Sequence, residues 1–199
     1  MSSSDSSLPA PNPDPSLTVP RLDTRRLVLR ELVDDDARCL FRIFSSPGAM
    51  EYWSFPPLSA PEQAVALIRS ARELVSSGTG LQWAIVRQDT GELIGKCGFN
   101  EIRHRHRRGD ISYVLDEAHW GKGFASEALG ALLCYGFKAL NLHSLEAGVT
   151  PGNDSSTRML ERLGFRLEGH IRENYFAGDR FVDSLIYSLL RSEWQECEC

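Results

Sequence analysis

A chain of 199 residues with 42% apolar and 25% charged side chains and a net charge of -5 has the make-up of a globular protein of one domain. The acidic balance argues against nucleic acid as a direct partner. No apolar run approaches the roughly 20 residues that a membrane helix needs, so no membrane partner is expected.

Residues 1–20 are rich in Ser and Pro and nearly free of large apolar side chains, so they bury too little surface to offset the entropy of ordering. They are expected to be a disordered tail, residues 21–195 a single folded domain, and residues 196–199 a frayed C-terminal tail. The tail has neither the apolar stretch of a secretory signal nor any Arg before Arg21, and cytoplasmic residence follows by elimination. Of five cysteines, Cys39, Cys97 and Cys134 lie in apolar segments and read as core residues of a reducing compartment, not as a disulfide framework. Cys197 and Cys199 supply only two ligands at a chain end, and no metal is expected.

Residues 26–32 alternate apolar and polar side chains, the period of a half-buried strand. Asp34-Asp35-Asp36 offers an N-cap and a negative first turn to a helix carrying Ala37, Leu40, Phe41 and Phe44, which Ser46-Pro47-Gly48 stops. A second helix starts near Pro61 and runs to Gly78. Residues 81–86 and 93–99 form a β-hairpin about Asp89-Thr90-Gly91. The basic run 103–108 reads as a solvated hairpin tip, with docking to an acidic partner as the other reading. A strand at 111–115 follows, then an amphipathic helix of about 17 residues from Gly123. A strand at 145–149, a helix at 154–163 closed by Gly164, and two strands at 165–172 and 181–190 complete an α+β order.

The segment from Asp110 to Leu129 carries the chemistry. A strand feeds Gly121-Lys122-Gly123, which opens directly into a helix. Glycines let backbone N–H groups converge, and the helix start adds free donors and the positive end of its dipole. Together they suit a phosphate, whereas a tight turn needing two glycines is the plainer reading. A P-loop needs Ser or Thr directly after Gly-Lys, and a dinucleotide-binding loop needs a third glycine where Ser126 stands; neither fits.

Trp120-Gly121-Lys122-Gly123-Phe124-Ala125 resembles the pyrophosphate loop of the GNAT superfamily of N-acetyltransferases. That family writes Gln or Arg, two residues, Gly, one residue, then Gly or Ala. Gly123 and Ala125 match the last fixed positions, and Trp120 in the first resembles the RimJ/RimL-like branch, named for ribosomal-protein N-terminal acetyltransferases. Asn153-Asp154-Ser155-Ser156 and Leu163-Gly164-Phe165 resemble the family's downstream motifs, and the likeness spans residues 19–194.

The resemblance implies a mixed, mostly antiparallel sheet of about seven strands flanked by about four helices, with a splayed central strand pair. It implies acetyl-coenzyme A as co-substrate, held by Trp120, Gly121, Lys122, Gly123, Phe124, Ala125 and Ser126 at the pyrophosphate. Backbone from Tyr113 through Val114 to Leu115 would bind the pantetheine arm, with the carbonyl contact near Val114 and Asn153 orienting the arm. Asp110 is nominated as general base through water, or is a solvated carboxylate, and Glu173 is a second candidate. Ser156 would protonate the leaving thiolate, although Asn153, Ser155 and Ser156 also read as helix-capping residues. His119 reads as an exposed loop residue, with a contact to a phosphate as the other reading. The acceptor is expected to be a primary amine, most simply a protein N-terminus such as that of a ribosomal protein. A small-molecule amine and a non-catalytic acetyl-coenzyme A-binding module are the alternatives, and both monomer and dimer are open.

Overall fold

The computed structural model describes residues 17–195; residues 1–16 of the tail expected at 1–20, and the tail expected at 196–199, lie outside them. Strand β1 (Leu22–Asp23) runs antiparallel to β2 (Leu27–Glu31), which turns Leu27 and Leu29 to one side of the sheet and Val28 to the other. A 3-10 turn at Asp34–Asp36 leads into α1 (Ala37–Phe44). Asp36 does not cap that helix. Its buried carboxylate accepts two bonds from the Arg30 guanidinium and one from the Val33 N–H, all at 2.8 Å, tying β2 to the helix start.

Ser46-Pro47-Gly48, expected only to stop the helix, begins another. Ser46 accepts the Ala49 N–H and opens the one-turn α2 (Pro47–Met50), with Pro in the first turn where its missing N–H costs nothing. Helix α3 (Pro61–Ser76) starts where Gln63 Oε1 accepts the N–H groups of Ser59 and Ala60. The remaining elements are β3 (Leu81–Arg87), β4 (Leu93–Arg103), β5 (Arg108–Leu115), α4 (Phe124–Cys134), β6 (Ser144–Val149), α5 (Asp154–Arg162), β7 (Arg166–Ala177) and β8 (Arg180–Leu190). The amphipathic helix from Phe124 keeps nearly its expected length, because a π-helical turn at Tyr135–Ala139 continues α4.

The strands form one eight-stranded sheet in the order β1-β2-β3-β4-β5-β6-β8-β7. Every neighbouring pair is antiparallel except β5–β6. On one face α1, α2 and α3 bury Leu40, Phe44, Met50 and Ile68 in a cluster with Ala84, Val86 and Val114. On the other, α4 and α5 bury Leu129, Leu132 and Leu160 with Trp83, Phe99, Ile111 and Leu145. Beyond the expected seven strands and four helices stand two-residue β1 and one-turn α2, both too short to show a period.

The expected tail gives up its last four residues to the fold. Leu17 and Val19 pack against the core, and the Pro20 carbonyl accepts the indole N–H of fully buried Trp83 at 2.7 Å. Among the described residues no helix is long and apolar enough to cross a membrane.

Strands β5 and β6 pair only at Arg108–Ser144, Gly109–Leu145 and Asp110–Glu146. Beyond Asp110, β5 stays paired with β4 while β6 stays paired with β8, so a gap opens in the middle of the sheet. This is the splayed central pair.

Candidate active site

The gap exposes the free edge of β5, and sheet geometry decides which amides line it. The Asp116 N–H donates to the Ile94 carbonyl at 2.9 Å, with Gly95 opposite Leu115. Hydrogen-bonded pairs alternate in an antiparallel ladder, so Lys96–Val114 is the next such pair. Val114 therefore directs its N–H and C=O to β4, while Tyr113 and Leu115 direct theirs into the gap. The Leu115 carbonyl accepts the Trp120 indole N–H at 3.0 Å, leaving the Leu115 N–H and the backbone groups of Tyr113 for a ligand. The Val114 N–H, expected to meet the coenzyme's thioester carbonyl, is instead committed to β4.

At the end of β5 the glycine loop meets α4. Gly121 and Gly123 have φ of 71° and 78°, in the left-handed region that glycine enters without strain. A Cβ placed on Gly121 would meet nothing within 4 Å, and one on Gly123 only an Arg26 guanidinium nitrogen at 3.4 Å. The first intrahelical bond runs from the Glu127 N–H to the Gly123 carbonyl, so the N–H groups of Phe124, Ala125 and Ser126 have no partner within the helix. Open space and unpaired amides fit a pyrophosphate. Lys122 turns away from it, its Nζ donating to the Ala118 carbonyl at 2.7 Å, and Trp120 is half exposed.

The loop is braced from behind. Arg26 donates to the Lys122 carbonyl at 2.9 Å and to Glu127 Oε2 at 2.6 Å, and lies over the Phe124 ring. Thr24 Oγ1 and the Arg26 N–H each donate to Glu127 Oε1 at 2.7 Å. Burial pushes the Glu127 carboxyl up, but the bonds from Thr24 and Arg26 outweigh it and hold it below its usual range. A lowered carboxyl pKa contributes stability above the unfolded value and loses it as pH falls through the folded one. Glu127→Ala is accordingly expected to cost about 2 kcal/mol at pH 7 in urea unfolding, with the difference shrinking toward pH 3. His119 is only 6% exposed, contrary to the exposed loop residue expected; its Nε2 lies 3.6 Å from Glu92.

On the far side of the gap Asn153 caps α5, its Oδ1 accepting the Ser156 N–H at 3.2 Å and the Ser155 hydroxyl at 3.0 Å. The cap thus belongs to Asn153, and the Ser156 hydroxyl is directed elsewhere. It hydrogen-bonds the Tyr113 hydroxyl, joining α5 to β5 across the gap on the α4–α5 face. Burial pushes the Tyr113 phenol up to about 12, so it remains protonated at neutral pH.

Asp110, Ser112 and Val114 occupy the α1–α3 face of β5, opposite Tyr113. A bulge between Phe99 and Glu101 puts Asn100 beside them. Asn100 donates to Asp110 at 2.9 Å and accepts from Ser112 at 2.7 Å and from Gln82 at 3.1 Å. Burial pushes the Asp110 carboxyl up to about 6, against the opposing bond from Asn100. Glu146, beside it on β6, is neutralised by Arg103 at 2.6 Å and Arg108 at 2.8 Å. The basic run is therefore partly a clamp on β6 rather than a wholly solvated tip. Across the gap a Cβ on Gly148 would meet nothing within 4 Å, so this face is open there. Thr150 Oγ1 donates to the Tyr52 carbonyl at 2.9 Å and hydrogen-bonds the Tyr175 hydroxyl, gathering the segment after α2 and the β7–β8 hairpin at the end of β6.

Asp110 and Ser156 thus flank the gap from opposite faces. Glu173 does not join them. It is exposed on edge strand β7, in a bulge with φ 51°, and its N–H donates to Asp183, which also pairs with His170 at 2.6 Å. Sequence reasoning missed Asn100, the Tyr113 hydroxyl and Thr150. The parity of β5 set Tyr113 apart from Asp110, but its partner lies 43 residues away, and the bulge has no sequence signature.

The sequence matches the acetyltransferase (GNAT) domain family over residues 26–166. The chain belongs to this family. It is an N-acetyltransferase of GNAT fold that uses acetyl-coenzyme A. It is 37% identical over 172 residues to the uncharacterized N-acetyltransferase YoaA of Bacillus subtilis strain 168, covering 86% of this chain and 97% of that one. Mycobacterium smegmatis RimJ, solved with CoA-disulfide, is 25% identical at a TM-score of 0.79, over 91% and 89% of the two chains. The spermidine N-acetyltransferase of Vibrio cholerae, solved with CoA and spermine, is 26% identical at a TM-score of 0.75, over 85% and 98%. One of these structural relatives, the Vibrio cholerae enzyme, is named for a polyamine substrate.

Proposed function

We propose that the enzyme acetylates the α-amine of a protein N-terminus by direct attack within a ternary complex, in the cytoplasm. In this reading the pyrophosphate lies on the amides of residues 121–126 and the pantetheine runs along the free edge of β5. The Tyr113 and Leu115 backbone steadies it, and an N–H there meets the negative charge that develops on the thioester oxygen. The acceptor approaches from the α1–α3 face, between Ser112 and Gly148. The neutral amine attacks the thioester carbon, Asp110 receives the amine proton through water, and Ser156, bonded to Tyr113, donates a proton to the departing sulfur.

The observation that carries the choice of acceptor is Asp110, held by Asn100 at 2.9 Å on the face of the gap that Gly148 leaves open, its carboxyl pushed up by burial to about 6. An α-amine near pKa 8 is about one-tenth neutral at pH 7, whereas an amine near 10.4 is far below 1% neutral. A base of this strength suits the first. Similarity to spermidine N(1)-acetyltransferase of Vibrio cholerae, 27% identical over 169 residues, favours a polyamine as the second reading. Thiol release from acetyl-coenzyme A against free N-terminal peptides, amino acids and polyamines decides between them. Peptides are expected to lead in kcat/KM; spermidine leading would overturn the assignment, and tight coenzyme binding without turnover would point to a regulatory module.

Asp110→Asn is expected to lower kcat/KM about 100-fold at pH 6.5 and to remove the acidic limb near pH 6 from the pH–rate profile. The deficit narrows toward pH 9, where free amine is plentiful. An unchanged profile would remove Asp110 from the mechanism.

A further inference from the structure

Lysine is scarce in this chain: Lys96, Lys122 and Lys138 stand against 19 arginines. Lys96 lies on β4 between Ala84 of β3 and Val114 of β5 in register, and both neighbours belong to the α1–α3 face, so its side chain projects there too. It is half-buried and forms no hydrogen bond or ion pair with any described residue. The helices over this face bury apolar side chains: Leu40, Ile43 and Phe44 from α1, Ala49 and Met50 from α2, Ala64, Ile68 and Ala71 from α3. Cys97 follows Lys96 on the opposite face, and burial pushes its thiol up to about 12, leaving it uncharged. Asp110 sits four residues along β5 from Val114, about 13 Å away; Asp116, two residues past Val114 on this face, is paired with Arg42 of α1 at 2.9 Å, Arg30 of β2 with Asp36 at 2.8 Å, and Glu146 with Arg103 and Arg108.

A half-buried ammonium without a counter-charge is unfavourable unless a ligand supplies one. Resting on the reading that acetyl is transferred to an amine entering from the α1–α3 face, we propose that Lys96 forms a carboxylate subsite on the acceptor face, so that the preferred acceptor bears a carboxylate close to its reactive amine. Position agrees. Lys96 and Val114 are a hydrogen-bonded pair with Cα atoms about 5.5 Å apart. A lysine stem extends about 6 Å, which brings the ammonium within an amino acid's length of the Tyr113 and Leu115 backbone. Either the α-carboxylate of a free amino acid or an acidic side chain at a peptide N-terminus supplies this chemistry, while a polyamine supplies the wrong sign. Burial pushes Lys96 down to about 8, so the subsite is charged at pH 7 and loses its attraction as pH rises through that value.

The test uses the full chain and matched acceptors: a peptide beginning with Asp against one beginning with Asn, and alanine against alaninamide. At pH 7 the carboxylate member of at least one pair is expected to have a kcat/KM about 10-fold higher or more. Which pair shows it identifies the source. In Lys96→Met the ratio falls to about 1, in Lys96→Arg most of it returns, and in the native enzyme it declines above pH 8. Ratios near 1 in both native pairs, or a preference kept by Lys96→Met, would overturn the proposal. If no amine is acetylated, the transfer reading has failed on its own. Calorimetry of the same pairs with coenzyme A present then decides the subsite, and a carboxylate preference absent from the native chain or unchanged in Lys96→Met counts against it. Thermal unfolding confirms that Lys96→Met folds, with a midpoint no lower than the native one.

Discussion

Replacing Gly123 with Asp is expected to weaken coenzyme A binding by about 100-fold or more in titration calorimetry, with far-UV circular dichroism unchanged. Two effects add. Gly123 sits at φ 78°, where a residue with a Cβ costs about 1–2 kcal/mol. The new carboxylate would also face the pyrophosphate at the point where the α4 amides begin, and each 1.4 kcal/mol of repulsion is a further factor of ten. A Cβ there would lie 3.4 Å from the Arg26 guanidinium, so the carboxylate would compete with Glu127 for the brace behind the loop. Gly123→Ala separates the terms, because it keeps the backbone strain and omits the charge; a loss of about 10-fold is expected. Native-like affinity in Gly123→Asp would remove the loop from the coenzyme site.

Ser156→Ala is expected to lower kcat about 100-fold while the KM for acetyl-coenzyme A stays within a few-fold. Tyr113→Phe should cost about 10-fold, and the double variant should be little worse than Ser156→Ala, since the two hydroxyls are partners. A purely structural Ser156 would instead show itself in stability. Asn153, not Ser156, holds the cap, so Asn153→Ala should cost about 1 kcal/mol in urea unfolding and Ser156→Ala much less. A kcat within twofold of native for Ser156→Ala would deny it the acid role.

Much of this architecture was legible because it is local. Period-2 alternation marks β2, and the apolar spacing from Phe124 marks α4. The glycine loop announces itself because positive φ at Gly121 and Gly123 demands the residue that supplies it. The missing parts are set by contacts distant in sequence. The choice between Val114 and its neighbours as gap-facing amides depends on the register of β4 against β5, which one residue of slip would reverse. Asn100 reaches Asp110 only through a bulge, and Tyr113 meets Ser156 only because α5 crosses the gap. Leu17 and Val19 sit in a Ser/Pro-rich stretch whose composition argues for disorder, yet Trp83 needs a partner for its indole N–H and finds it at Pro20. Nothing in the sequence sets Lys96 apart within the strand at 93–99; its neighbours Ala84 and Val114 follow from the registers of β3 and β5.

Whether the gap beside β5 and the loop at α4 form one coenzyme site is decided by a crystal structure of the coenzyme A complex. The pyrophosphate is expected on the amides of residues 121–126, the pantetheine hydrogen-bonded to Tyr113 and Leu115 but not Val114, and the sulfur beside Ser156. A coenzyme bound elsewhere, or a gap closed by renewed β5–β6 pairing, would contradict this placement.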